Sequence, residues 1–230
     1  MKEDFRGVIL KGDGGLYGVR PDRMECEEDS DDMLLCSARG LFRHENVTPL
    51  PGDAVWVRLG TGKEDGVIWE ILPRTNSLIR PAVANLTHLF VIIPAARPRP
   101  DLLMADKLIS AAEDKGIEPV VVISKTDIDA KSALEIQKIY VTGSFSVFPV
   151  SCVTGVGTEA VYQYIETCAT QGRMTAAFAG VSGAGKSTLM RTLFPALQLK
   201  TGEVSQKIQR GRHTTRHAQL YPVRCGEAYC

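Results

Sequence analysis

The chain has 230 residues, of which 44% are hydrophobic and 23% charged, and its formal net charge at pH 7 is zero. This composition is ordinary for a globular protein, and the length suffices for one large domain or two small ones. The zero net charge excludes nucleic-acid binding by bulk electrostatics, so such binding needs a local basic patch. The six cysteines include no Cys-x-x-Cys pair, which argues against a disulfide framework or zinc ribbon.

The first 72 residues predict a small β-barrel. No apolar stretch of the signal-peptide kind follows Met1, and the apolar run 89–96 is too short to span a bilayer, so we expect a cytoplasmic protein with no membrane partner. Short alternating segments, separated by glycine, proline and aspartate, indicate an OB-like barrel. The acidic run Asp22 to Asp32 is expected to be a solvated loop. The predicted strands are 7–10, 16–19, 33–36, 54–57 and 66–71.

Residues 73–86 are predicted to be a linker, and 87–230 an α/β domain. Continuous apolar runs alternate with segments of helical periodicity, which indicates a parallel sheet with helices on both faces. Asp101 is a candidate N-cap of the first helix, and Gly116 a candidate terminator. The predicted strands are 89–93, 119–123, 147–150 and 175–179, and the predicted helices are 102–115, 130–140, 157–168 and 187–194.

The strongest chemical signal is a P-loop at 180–187, which fits G-x-x-x-x-G-K-[ST] at every fixed position. Its glycines let backbone N–H groups point at phosphates, and the positive end of the following helix favours the same anion. Lys186 is predicted to reach the β- and γ-phosphates, and Ser187 to ligate Mg²⁺. A merely structural glycine-rich turn is the alternative. The predicted phosphate-binding residues are Gly180, Val181, Ser182, Gly183, Ala184, Gly185, Lys186, Ser187 and Thr188.

Two further loops bear on which nucleotide binds. Ser124, Lys125, Thr126 and Asp127 follow a predicted buried strand, where a base-reading loop would lie. The Asp127 carboxylate can accept hydrogen bonds from N1–H and the exocyclic amine of guanine, a donor pair that adenine lacks, and the stem of Lys125 can lie over the base. Ser151 and Cys152 could close over the base through backbone amides. Each loop alone is more often a surface turn.

The order of these motifs resembles one family. The segment 124–127 is similar to the Asn/Thr-Lys-x-Asp motif of GTPases and 151–152 to their Ser-Ala motif, but both precede the P-loop, as in circularly permuted GTPases. With the N-terminal barrel and the Gly-Arg-His-Thr-Thr-Arg-His stretch at 211–217, the chain resembles the small ribosomal subunit-dependent GTPase A family (RsgA/YjeQ type). Further matching stretches are 40–43, 48–53 and 74–81.

This resemblance implies a cytoplasmic enzyme that hydrolyses GTP to GDP and phosphate with Mg²⁺. It also implies that the protein acts late in the maturation of the small (30S) ribosomal subunit, is stimulated by that subunit, and contacts its rRNA through the barrel. We expect a monomer. The sequence offers five basic candidates for RNA contact, each of which could equally be a solvated surface charge: Arg39, Arg43, His44, Arg74 and Arg80.

Residues 211–217 would form the first switch loop, in which a threonine coordinates Mg²⁺ while the γ-phosphate is present. The resemblance favours Thr215 over Thr214, so Lys186 and Thr215 are the predicted catalytic residues. The segment 191–217 has six Lys or Arg against one acid, so it could face phosphate. His213 and His217 could position the attacking water, although exposed or RNA-facing histidines are favoured.

The chain departs from the family pattern in two ways. It stops at Cys230, before the Asp-x-Pro-Gly switch whose Asp would hold the Mg²⁺ water shell and before the zinc-binding domain, so no zinc ligands are expected in this chain. Ser124 replaces the usual Asn or Thr, which is expected to weaken base binding while Asp127 keeps guanine selectivity. The alternatives are a hydrolysis-deficient nucleotide- or rRNA-binding module and an ATP-using kinase on the same P-loop.

Overall fold

The computed structural model describes residues 4–22, 33–40, 42, 47–60, 65–172, 174–197, 218–225 and 228–229. The chain forms two compact units, Met1–Asn85 with Thr214–Tyr221 and Leu86–His213 with Pro222–Cys230. Most of the predicted acidic loop, at 23–32, lies outside the described residues, as do Arg43 and His44. The predicted switch loop also lies outside them, with His213, Thr214, Thr215 and His217.

The first unit contains a closed five-stranded barrel with the neighbour order β1-β2-β3-β5-β4, which confirms the predicted N-terminal barrel. Side chains alternate along each strand, so one set fills the interior. Ile9, Val19, Val55, Val57 and Ile68 are fully buried there. The strands are β1 (Asp4–Asp13), β2 (Leu16–Pro21), β3 (Leu34–Ala38), β4 (Ala54–Leu59) and β5 (Gly66–Ile71).

A small antiparallel hairpin lies within the segment predicted as a linker. Its strands are β6 (Ser77–Ile79) and β7 (Ala82–Ala84). The Ala84 N–H donates to the Pro51 carbonyl at 2.8 Å, and the chain passes so close to Gly52 that a Cβ there would overlap the Ala84 carbonyl. The sequence did not predict this hairpin because strands of three residues are too short to show alternation.

Arg74 is part of the fold of this unit. Its Nε and Nη2 donate to the two carboxylate oxygens of Asp53 at 2.6 and 2.7 Å, and Nη2 also donates to the Thr48 carbonyl at 2.7 Å. Asp53 is fully buried, so its charge requires this partner. Arg74 is therefore a structural ion-pair partner and not a solvated charge, and its contact with RNA stays a prediction. Arg39 and Arg80 are exposed.

Residues 218–221 also belong to the first unit. The Leu220 N–H donates to the Leu10 carbonyl at 2.8 Å, and Gln219 forms an antiparallel bridge with Lys11. The pairing of β1 with β2 shifts register between Ile9 and Lys11, which leaves Leu10 out of that ladder. The carbonyl of Leu10, which the bulge in β1 frees from the ladder, therefore accepts the hydrogen bond from Leu220.

The second unit is built on a four-stranded parallel sheet with the order β10-β9-β8-β11, as predicted for an α/β domain. Its strands are β8 (His88–Pro94), β9 (Glu118–Ser124), β10 (Ser146–Pro149) and β11 (Ala176–Ala179). Its helices are α1 (Leu102–Glu113), α2 (Ala130–Val141), α3 (Thr158–Gln171) and α4 (Lys186–Leu193). A short hairpin of β12 (Arg224–Cys225) and β13 (Ala228–Tyr229) follows.

Helices cover both faces of this sheet. Phe90 and Ile92 pack in one core cluster with residues of α3 and α4, while α1 lies over β8 and β9 and α2 over β9 and β10. Val91 and Ile93 alternate along β8 with Phe90 and Ile92. They therefore lie on the opposite face of the sheet, where they pack near Ala105 of α1. Strands buried on both faces explain the continuous apolar runs of β8 and β9.

The predicted N-cap and terminator of α1 are found in the structure, and the helices differ from their predicted bounds by a few residues. The Asp101 carboxylate accepts from the Met104 N–H at 2.9 Å and caps α1. That helix ends at Glu113 because the chain turns back through Gly116, at φ 66°, and the Ile117 N–H reaches the Ala112 carbonyl at 2.9 Å. None of the helices in the described ranges combines the length and apolar character needed to cross a bilayer.

Candidate nucleotide-binding site

Four loops of the second unit begin at the same edge of its sheet. Because all four strands are parallel, their carboxyl ends lie side by side, the usual place for a ligand in this architecture. Val91 pairs with Ala179, Pro94 with Ser124, and Ile123 with Pro149. The P-loop, both predicted base-reading loops and the loop 95–101 therefore start next to one another.

The P-loop has the backbone that an anion site requires. Gly180, Gly183 and Gly185 have φ angles of 145°, 78° and 100°, and a Cβ at Gly180 would overlap the Ile92 carbonyl. Within the described part of the chain, no acceptor is found for the amides of Ser182, Gly183 and Gly185. These amides and the positive end of α4 form a cradle whose chemistry suits phosphate.

Lys186 lies at this cradle. Its Nζ donates to the carbonyls of Gly180 and Val181, both at 2.9 Å. A phosphate would compete with these carbonyls for the ammonium, because ionic hydrogen bonds are stronger than those to neutral acceptors. Ser187 is exposed in the first turn of α4, and its hydroxyl is an oxygen ligand of the kind that Mg²⁺ takes.

Ser124 joins the predicted base-reading loop to the P-loop. Its hydroxyl donates to the Ala184 carbonyl at 2.6 Å, and only 3% of the residue is exposed. From the sequence, this hydroxyl is expected to replace a base-binding amide only weakly. In the structure it connects two loops, and its expected effect on base affinity stays a prediction.

Lys125 forms a second connection between the same loops. Its backbone is left-handed, with φ 62°, and its Nζ donates to the carbonyls of Gly183, at 2.7 Å, and Arg97. Asp127 follows in an exposed position, with no hydrogen-bond or ion-pair partner among the residues that the structure describes. The predicted base-reading carboxylate is thus on a loop that is hydrogen-bonded to the phosphate cradle.

The loop 150–157 is hydrogen-bonded to the loop that carries Asp127. The Thr126 N–H donates to the Val150 carbonyl at 3.3 Å, which connects the two predicted base loops. Ser151 is buried, and its hydroxyl accepts from the Thr154 N–H at 3.2 Å, so its side chain shapes the turn. Burial, helped by the negative charge of Asp127, raises the pKa of the Cys152 thiol.

The loop 95–101 contributes to the site although no pattern in the sequence predicted it. Its Pro98 ring comes within 3.5 Å of the position that a Cβ on Gly183 would occupy, and its Arg97 carbonyl is bound by Lys125. No recognised motif marks this loop. The available signal was its place after a buried strand, at the edge where the motif loops also begin.

Comparison with known proteins decides the family. The RsgA GTPase family model matches residues 71–228, and the RsgA N-terminal domain model matches residues 6–68. The chain belongs to the RsgA GTPase family. This confirms the resemblance drawn from the motifs, and the family assignment favours a GTP-hydrolysing enzyme over a kinase or a hydrolysis-deficient module.

Members of this family provide close relatives in sequence and structure. The chain is 39% identical over 221 residues to the "Small ribosomal subunit biogenesis GTPase RsgA" of Ruminiclostridium cellulolyticum, covering 96% of this chain and 68% of that protein. It is similar to the crystal structure of YjeQ from Thermotoga maritima, with TM-score 0.70 and 27% identity over 87% of this chain and 68% of that one. It is also similar to YloQ, described as a circularly permuted GTPase, with TM-score 0.61 and 31% identity over 82% and 63% of the two chains. The predicted permuted fold is confirmed.

Proposed function

We propose that this chain binds GTP at the carboxyl edge of its parallel sheet and hydrolyses it to GDP and phosphate during maturation of the small ribosomal subunit. One observation carries the nucleotide assignment. Hydrogen bonds from Ser124 and Lys125 to the P-loop carbonyls hold the loop of Asp127 beside the phosphate cradle. That arrangement suits a guanine nucleotide, whose base needs a paired acceptor.

The proposed roles follow from chemistry and position. The cradle amides and Lys186 bind the phosphates, Asp127 reads the guanine edge, and the backbone of Cys152 closes over the base. Mg²⁺ bound with GTP neutralises phosphate charge, and Ser187 and Thr215 are its proposed ligands from this chain. Among the described residues, no group of three or more His, Cys, Asp or Glu is arranged to hold a metal ion.

The proposed partner is the small ribosomal subunit, because relatives 38–39% identical to this chain are named as GTPases of its biogenesis. We propose that the barrel contacts rRNA, with Arg39 as an exposed candidate there and Arg80, between β6 and β7, as an exposed candidate beyond it. We also propose that the protein works in the cytoplasm as a monomer. Since the chain carries no net charge, its affinity for rRNA should depend on such local basic residues and fall as salt rises.

The test is phosphate release from GTP by the purified chain, with and without small subunits. We expect slow release alone, faster release with subunits, and background release from Lys186→Ala in both conditions. Competition by ATP should be far weaker than by GDP. Subunit binding with release at the Lys186→Ala background would overturn the hydrolytic function, and equal competition by ATP would overturn the guanine assignment.

A further inference from the structure

The loop between β8 and α1 carries two arginines beside the phosphate cradle. Arg97 and Arg99 are both exposed, and each precedes a proline, Pro98 and Pro100. A following proline restricts a residue to extended backbone, and the proline itself has a fixed φ. The loop therefore presents its arginines from a restricted backbone, so the backbone adds little to the entropy lost when one of them binds a ligand, and the cost falls on the arginine side chain.

This loop is attached to the P-loop at the residue that bears the first arginine. The Lys125 ammonium donates to the carbonyls of both Arg97 and Gly183, so one cation joins the two loops. The Pro98 ring lies 3.5 Å from the position of a Cβ on Gly183, in ordinary van der Waals contact. The backbone of Arg97 is thus fixed next to a glycine whose own amide has no acceptor among the residues that the structure describes.

The negative charges of a bound nucleoside triphosphate would exceed the positive charges of the lysines at the cradle, so a further cation could bind there. Two lysines lie at the cradle, and the Nζ of Lys125 binds Gly183 and Arg97 carbonyls. Within the described part of the chain, Arg97 forms no ion pair, and the carboxylate of Asp101, the nearest acid along the loop, caps α1. A nucleotide triphosphate has several negative charges in this space, and a guanidinium binds phosphate oxygens in a two-pronged geometry.

We propose that Arg97 is an additional ligand of the bound nucleotide, with its guanidinium pairing with the phosphate oxygens from the side of Gly183. This inference rests on the proposed function of the site as a GTP site. Arg97 is chosen over Arg99 because its own carbonyl is bound by Lys125, whose ammonium also binds the Gly183 carbonyl of the P-loop, whereas Arg99 lies two residues further along, toward the start of α1. In this proposal Arg97 strengthens nucleotide binding, whereas the P-loop and switch residues carry out hydrolysis.

The experiment measures equilibrium affinity for GDP and for a non-hydrolysable GTP analogue, using the full chain with Mg²⁺ at low salt. Arg97→Gln is expected to bind both nucleotides about tenfold more weakly, as for loss of one charge-assisted hydrogen bond. Arg97→Lys should lose less. Arg99→Gln, the same chemical change two residues away, should bind as the wild type does, and the effect of Arg97→Gln should shrink at high salt.

The outcomes separate this inference from the function on which it rests. If the wild type binds no guanine nucleotide, or binds as poorly as Lys186→Ala, the proposed function fails and this inference fails with it. If the wild type binds and Arg97→Gln binds equally well, only the role of Arg97 is overturned. Equal nucleotide affinity together with weaker small-subunit binding by both glutamine variants would assign the loop to RNA and also overturn the proposal.

Discussion

The carboxylate of Asp53 accepts hydrogen bonds from two nitrogens of Arg74, at 2.6 and 2.7 Å, in a place where none of Asp53 is exposed. The same carboxylate accepts from the Leu50 N–H at 2.7 Å. The hydrogen bond to Asp53 raises the pKa of the Arg74 guanidinium, and the negative charge of Asp53 adds to this effect. Burial of the guanidinium opposes it by lowering the same pKa. The pair connects the loop before β4 to the chain that follows β5.

Arg74→Met should therefore destabilise the first unit by about 3 kcal/mol, because it leaves a buried carboxylate without its counter-charge. The measurement is urea unfolding followed by the fluorescence of the barrel tryptophans. Arg58→Met is the surface control, since Arg58 forms a similar two-pronged pair with Asp4 at 3.1 and 3.2 Å on the exposed surface. Arg58 also lies over the Trp69 ring at 5.4 Å, so unfolding midpoints are compared and not fluorescence amplitudes. Equal effects of the two substitutions would contradict the structural role of Arg74.

Asp127→Asn should transfer base preference from guanine toward xanthine nucleotides. The amide presents a donor where the carboxylate presented an acceptor, and xanthine offers an oxygen in place of the guanine amine. The measurement is competition of GDP and xanthosine diphosphate for a fluorescent nucleotide. Asp129→Asn is the control: Asp129 caps α2 through the Ser132 N–H at 2.9 Å, so its change should leave base preference as it is. An unchanged preference in Asp127→Asn would remove this residue from the site.

Ser124→Ala should weaken nucleotide binding by about tenfold, although the side chain is not expected to touch the nucleotide. The substitution leaves the Ala184 carbonyl without its hydroxyl donor in a buried place, which costs about 1–3 kcal/mol, shared between stability and loop position. Ser124→Thr keeps the hydroxyl and should restore affinity. Titration with labelled GDP, read beside the melting temperature, tests this; wild-type affinity in the alanine variant would show that the connection is dispensable.

Acid should destabilise the second unit through His88. Burial lowers the pKa of this imidazole, although the Glu118 carboxylate 3.5 Å away favours the charged form. Burial prevails because 58% of the Glu118 side chain is exposed, so water screens its charge, against 12% for His88. Thr87, at 2.8 Å from Nδ1, and Tyr164, whose ring meets the imidazole edge-on, also face it.

The direction of the change in stability with pH follows from proton uptake on unfolding. The unfolded histidine, with a pKa of about 6.5, binds more protons than the folded one, so stability is lost as pH falls below that value toward the folded pKa. Melting temperatures of the wild type should drop between pH 7.5 and pH 5.5 by more than those of His88→Gln. Parallel curves for the two proteins would contradict the assignment.

Much of the α/β unit could be predicted because its signals are long and local. The apolar runs 89–93 and 119–123 lie within β8 and β9, which have seven residues each, and Asp101 and Gly116 mark the ends of α1. The P-loop pattern likewise depends on contiguous residues. Such features are encoded within a few turns of chain, where periodicity and capping preferences are strong.

What the sequence did not predict depends on contacts between distant residues. The pairing of Arg74 with Asp53, separated by 21 positions, turned a presumed surface charge into a structural one. The hydroxyl of Ser124 found its acceptor 60 positions away, and Arg97 became part of the site only through a lysine outside its own loop. No local sequence pattern specifies these partners, because they come together only when segments that are far apart in the sequence pack against one another.

The bridge between Gln219 and Lys11 means that the barrel unit is not a continuous stretch of sequence. A fragment that ends at Asn85 would keep all five barrel strands yet omit the tetrapeptide 218–221, so the Leu10 carbonyl would lose its donor at the bulge. Dissection of this protein by limited proteolysis or gene truncation would therefore yield a barrel weaker than its native counterpart. A synthetic peptide spanning 218–221 is the natural reagent to restore it.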